Sequence, residues 1–132
     1  MTTKLLINID VDDLERGVAF YTEALDLRRG RTLFDGTVVE LMGASSAVFL
    51  LLKPAGTPAA GGSRQRRRYR RHWTPVHLDF VVGDVATAVT RAVAAGARLE
   101  GAIESYDWGR LATLADPFGN GFCLVELPEG GY

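Results

Sequence analysis

The feature that most constrains this chain is that it repeats itself. With Asp13 laid over Asp84, an offset of 71 positions, Leu6 falls on His77, Asn8 on Asp79, Leu14 on Val85 and Val18 on Val89. Strand phase and helix phase agree at that single offset. A piece that recurs this way cannot bury its own sheet, so two copies packed side by side are expected.

Each copy reads as strand, helix, then three strands. Lys4 to Val11 alternates, with Ile7, Ile9 and Val11 on one face and Leu6, Asn8 and Asp10 on the other. Asp12 or Asp13 offers an N-cap carboxylate, and Leu14, Val18, Tyr21 and Leu25 form one apolar helical stripe. Strands follow at Arg29–Phe34, Thr37–Met42 and Ala47–Leu52, separated by Asp35-Gly36 and Gly43–Ser46. The second copy has a strand over Pro75–Val82, Asp84 as cap and a helix closed by Gly96. Its later strands are expected over Arg98–Glu104, Gly109–Ala115 and Gly121–Leu127, with a type I turn at Asp116–Gly119. The expected fold class is therefore α+β, a tandem pair of βαβββ modules whose curved sheets enclose a cleft. One domain spans 1–132, with module one at 3–53, a linker loop at 54–73 and module two at 74–128.

The loop carries the chain's charge asymmetry. Pro54–Ser63 is rich in Pro, Gly and Ala, and six arginines crowd into Arg64–Arg71. Outside that run nine basic residues face sixteen acidic ones, a net −7 body beside a +6 loop. Such a loop is expected to be exposed and mobile. Its interleaved Tyr69 and Trp73 could grip phosphates or cover a cleft, but the chain as a whole is not composed like a nucleic-acid binder. With 47% hydrophobic and 23% charged residues, the composition is that of a soluble globular domain. No apolar run is long enough to span a bilayer, so no membrane partner is expected. The N-terminus lacks a signal peptide's apolar stretch, and the single Cys123 allows no internal disulfide, which points to the cytoplasm.

Ile9–Tyr21 (IDVDDLERGVAFY) and Ala115–Gly121 (ADPFGNG) resemble the first strand and helix, and the penultimate turn, of the vicinal oxygen chelate superfamily. That superfamily includes glyoxalases, bleomycin-resistance proteins and extradiol dioxygenases. The resemblance implies a small-molecule ligand, and a homodimer. Metal-dependent members take ligands from the first and last strand of each module, which carried over are Leu6, Leu50, His77 and Cys123. Leucine has no lone pair, so no metal and no other cofactor is expected.

Strand parity sets His77 and Asp79 opposite Val76, Leu78 and Phe80, facing the cleft with Asn8 and Asp10. His77 can be a packed histidine, a binding or proton-transfer group, or a metal ligand. Asn8, Asp10 and Asp79 can line a pocket or pair internally. Cys123 can be a buried small hydrophobe, or a thiol activated by His77. Trp108 and Arg110 offer a stacking face and a cationic donor. The function expected is metal-independent small-molecule binding, with His77 as the residue for any catalysis. Two alternatives stand beside it: a metal-dependent lyase or dioxygenase in which Asp79, Glu40 or Glu126 replaces a missing ligand, and polyanion or nucleic-acid binding through Arg64–Arg71.

Overall fold

The computed structural model describes residues 1–131 and divides into two compact units, residues 1–69 and residues 70 onward. The first holds β1 (Leu6–Val11), α1 (Leu14–Leu25), β2 (Arg28–Leu33), β3 (Val38–Met42) and β4 (Ala47–Leu52). Its sheet runs β1-β4-β3-β2, with β1 parallel to β4 and the other pairs antiparallel. Asp13 caps α1 by accepting from the backbone N–H of Arg16 at 3.0 Å. Ile9 and Val39 both lie beside Leu50, and all three are buried. A Cβ added at Gly17 would sit 3.1 Å from Val11 Cγ1 and 3.2 Å from Leu50 Cδ1. The face of Ile9, Val11 and Leu50 is therefore the one that α1 covers, and glycine lets the helix approach it closely. Each buried aliphatic side chain contributes about 1.5–3 kcal/mol.

The second unit holds β5 (Leu78–Val81), α2 (Val85–Ala95), β6 (Arg98–Leu99), β7 (Glu104–Tyr106), β8 (Gly109–Ala115) and β9 (Gly121–Glu126). Its sheet runs β5-β9-β8-β6, with β7 on β8, and here too the first and last strands pair in parallel. Asp84 caps α2 through Ala86 N–H and the Thr87 hydroxyl, and Glu126 accepts from Val85 N–H at 2.8 Å. The backbone angles at Asp13 and Asp84 agree within a few degrees (φ −143° at both, ψ 108° and 110°), so the repeat is structural to the cap. The fold is the α+β tandem of βαβββ modules that the repeat implies.

Several expectations are corrected. The strand expected over Pro75–Val82 begins only at Leu78, because proline has no N–H to give a ladder. Val76 is 81% exposed and does not pack beneath α2; Leu78 and Phe80 do the half-buried packing, Phe80 edge-on to Phe122 at 5.9 Å. The segment Arg98–Glu104 breaks into β6 and the separate β7, with Gly101 between them at φ 88°. Phe34 ends no strand: it and Asp35 adopt left-handed angles in the β2–β3 turn.

Residues 54–73 are not a bare linker. Gly56 N–H donates to Arg67 O, Arg67 N–H to Thr57 O and Ala59 N–H to Gln65 O, closing a small antiparallel hairpin. Residues 70–73 run beside the Asp116–Gly121 turn, where His72 N–H donates to Gly119 O at 3.0 Å. No helix among the described residues is long and apolar enough to cross a membrane.

Candidate functional site

In the second unit β5 and β9 are adjacent and parallel, so Asp79 stands beside Cys123, and Thr113 beside Cys123 on the other side. Alternation sets these three on the face opposite Leu124 and Ala112, both fully buried. His77, one residue ahead of β5, shares that parity. Its Nε2 lies 3.1 Å from Asp79 Oδ1, and both side chains are about two-fifths exposed (39% and 44%). Sequence parity and strand register thus agree in setting His77 and Asp79 on one face, although Val76 takes no part in packing the other.

The next residue along that face is Gly121. A Cβ there would come within 2.9 Å of both Arg71 Nη atoms and Trp73 Cε2, so only glycine leaves room for them. Arg71 sits 4.3 Å from the Trp73 ring centroid and pairs through two N–H groups with Glu100, at 2.5 and 2.6 Å. Trp73 in turn meets His77 edge-on at 5.2 Å. The result is a row of Glu100, Arg71, Trp73, His77 and Asp79 on one sheet face. Sequence reasoning missed Glu100 and Thr113, and gave Arg71 only as a member of the arginine run. The signal available was the polar Thr113 breaking an apolar strand at the parity of Cys123.

Electrostatics separate the members. Hydrogen bonding by the Arg71 guanidinium holds the Glu100 carboxyl below its usual range. Burial pushes the Cys123 thiol up; the Thr113 hydroxyl, 3.8 Å from its sulfur, opposes this and the Asp79 charge adds to it. Cys123 is therefore a neutral thiol at pH 7, not an activated nucleophile. Nε2 is the His77 ring nitrogen within hydrogen-bonding distance of Asp79, and a proton held between them would leave Nδ1 with the lone pair.

The other sequence-selected residues lie elsewhere. Arg110 pairs across strands with Glu126, at 3.7 Å, at the parity of Ala112 and Leu124, so neither reaches the His77 row. Trp108 stacks on Tyr106, rings nearly parallel and 5.2 Å apart. In the first unit Asn8 is exposed on the face away from α1. Asp10 on that face is bound by Arg67, Nε to Oδ2 at 2.6 Å, and Glu40 by Arg31 at 2.9 Å. Leu50 is turned to α1, so it faces no ligand; the unbroken Val-Phe-Leu-Leu-Leu run gives no alternation to reveal this.

The superfamily's metal can be tested against these groups. Donor atoms of His77, Asp79 and Cys123 all lie within 4.8 Å of one another. One nitrogen, one oxygen and one sulfur meet the three-ligand count for Zn²⁺ but not the oxygen shell of Mg²⁺ or Mn²⁺. The first unit offers only Leu6 and, in the register place of Cys123, Phe49.

Residues 6–125 match the glyoxalase-like domain family. An uncharacterized protein of Mycobacterium bovis is 31% identical over 120 residues, covering 88% of this chain and 78% of that one. Among solved structures, a glyoxalase/bleomycin resistance protein/dioxygenase family enzyme from Burkholderia phytofirmans superposes with a TM-score of 0.72 at 20% identity, covering 93% of this chain and 97% of that one. TnmS3, an antibiotic binding protein from a Streptomyces species, superposes at 0.66 with 21% identity, covering 97% and 98%. The matched span takes in the first strand and helix, the Asp-Pro-Phe-Gly turn and most of both modules, and the chain belongs to the glyoxalase-like domain family of the vicinal oxygen chelate superfamily.

Proposed function

We propose that this protein binds a small organic molecule, without a metal, on the exposed face of its second sheet. The observation that carries the reading is the half-exposed His77–Asp79 pair with the Trp73 ring beside it. Asp79 fixes the imidazole, Nδ1 accepts a hydrogen bond or a proton from the ligand, and Trp73 supplies an apolar wall. The antibiotic-binding role of TnmS3 supports the ligand class. Any reaction would run through His77 as proton acceptor. A homodimer, implied by kinship alone, belongs to the same proposal and is read by light scattering.

The test compares His77→Ala with Phe80→Ala, using ligands found by screening against tryptophan fluorescence. His77→Ala should weaken binding by about 1–3 kcal/mol while leaving thermal stability nearly intact. If it unfolds the protein as severely as Phe80→Ala, the histidine is structural and the reading fails.

The proximity of three donors favours one second reading, a Zn²⁺ held by His77, Asp79 and Cys123. Bound zinc would polarise a substrate oxygen there. Elemental analysis decides between them: our proposal expects no stoichiometric metal, and about one zinc per chain lost on His77→Ala would replace it.

A further inference from the structure

The arginine run has two sides. Arg67 and Tyr69 turn inward: Arg67 binds Asp10, the Thr57 hydroxyl and the carbonyls of Pro58 and Ala59, and the Tyr69 hydroxyl donates to Lys53 O at 2.5 Å. Arg64, Arg66 and Arg68 are exposed. Arg66 spends one N–H on Gly56 O, at 2.9 Å, and among the described residues no carboxylate pairs with any of the three. This is unusual company for a chain whose remainder carries net −7, since acid was available to neutralise them.

These cations also stand on an ordered backbone. The hydrogen bonds of Arg67 N–H and O with Thr57 and Gly56, and of Gln65 O with Ala59, hold the segment extended against its hairpin partner. In an extended chain alternate residues repeat at about 6.6 Å, so Arg66 and Arg68 form a short row with Arg64 at its end. Arginines carried in a row along the backbone match a linear polyanion, and a guanidinium can give a phosphate two parallel N–H donors.

We propose that this row docks the phosphate backbone of single-stranded nucleic acid, without regard to base sequence. A flexible strand can lay successive phosphates along a straight row. Base stacking has no platform here, because Tyr69 is committed inward. A lipid surface fits less well: the tip of the hairpin, Ala59, Ala60, Gly61 and Gly62, offers nothing larger than a methyl group, and no aromatic or long aliphatic side chain stands there to insert beside the cations. The acidic remainder of the chain repels the strand, confining contact to the row and making binding weak and salt-sensitive.

The experiment is fluorescence anisotropy of a mixed-sequence single-stranded oligonucleotide titrated with the full chain from 50 to 200 mM salt. Binding should fall with log salt at a slope of about −2, the value for three phosphate contacts. Arg64→Gln with Arg68→Gln should weaken binding at least fivefold and flatten the slope to about −0.7. Lys4→Gln with Arg28→Gln removes the same charge elsewhere on the first unit and should cost less than twofold. Equal losses in the two double variants, or no binding by the unaltered chain at 50 mM salt, would overturn the proposal. So would tight binding to phosphatidylserine vesicles that the oligonucleotide does not displace.

Discussion

On the sheet face away from its helix, the first module carries Asn8, Phe49 and Glu40 side by side; the second carries Asp79, Cys123 and Thr113 in the same register places. On the helix-covered face the two modules agree far better. Ile9, Leu50 and Val39 in one correspond to Phe80, Leu124 and Ala112 in the other, apolar throughout. The fold is held by what the helix covers, and the opposite face is left free to diverge. In the first module its acids are neutralised by Arg31 and Arg67, whereas in the second a histidine and a carboxylate remain open to solvent.

If the covered faces are equivalent, the largest losses should be equal. Leu50→Ala and Leu124→Ala should each cost about 2–5 kcal/mol in urea unfolding, since both side chains are fully buried. A large loss in only one would break the comparison. Gly121→Ala should cost about 1–3 kcal/mol through displacement of Arg71 and Trp73, with a shift in tryptophan emission. Gly17→Ala should cost less, about 1 kcal/mol, because gained helix propensity offsets part of the crowding against Val11 and Leu50.

Acid should strain the second module through Glu100. Its carboxyl is depressed in the folded state, so its contribution is full above the unfolded carboxylate pKa and is lost as pH falls through the lower folded value. Glu100→Gln should flatten that limb of the stability–pH curve. Cys123 behaves oppositely. Its raised thiol stabilises the fold below the unfolded thiol pKa, and that stability is lost as pH rises through the folded value. Alkylation at pH 8 should accordingly be slow until urea unfolds the chain; fast labelling of the native protein would contradict the burial.

How much could be read from residues alone follows the same division. The offset of 71, both Asp caps and the parity of Asn8, Asp10, His77 and Asp79 were legible because each rests on local spacing. Leu50 was not, since a run without alternation carries no phase and only pairing with Ile9 and Val39 sets its face. The Asp10–Arg67 pair, 57 positions apart, and the Arg71–Glu100 pair were equally hidden. An arginine run looks uniform in sequence; contacts decide which members turn inward.

The parallel pairing of first and last strand has a consequence in time. β1 cannot meet β4, nor β5 meet β9, until the whole intervening module has been made. Closing such a loop costs chain entropy before any strand pair repays it. Since β9 lies between β5 and β8, the second sheet has no central strand until its last one arrives. During synthesis β5, with Asp79 in it and His77 just ahead of it, must therefore wait as an unpaired edge while the first module can already be complete. Variants that slow the arrival of β9 should aggregate through β5 and leave the arginine hairpin intact.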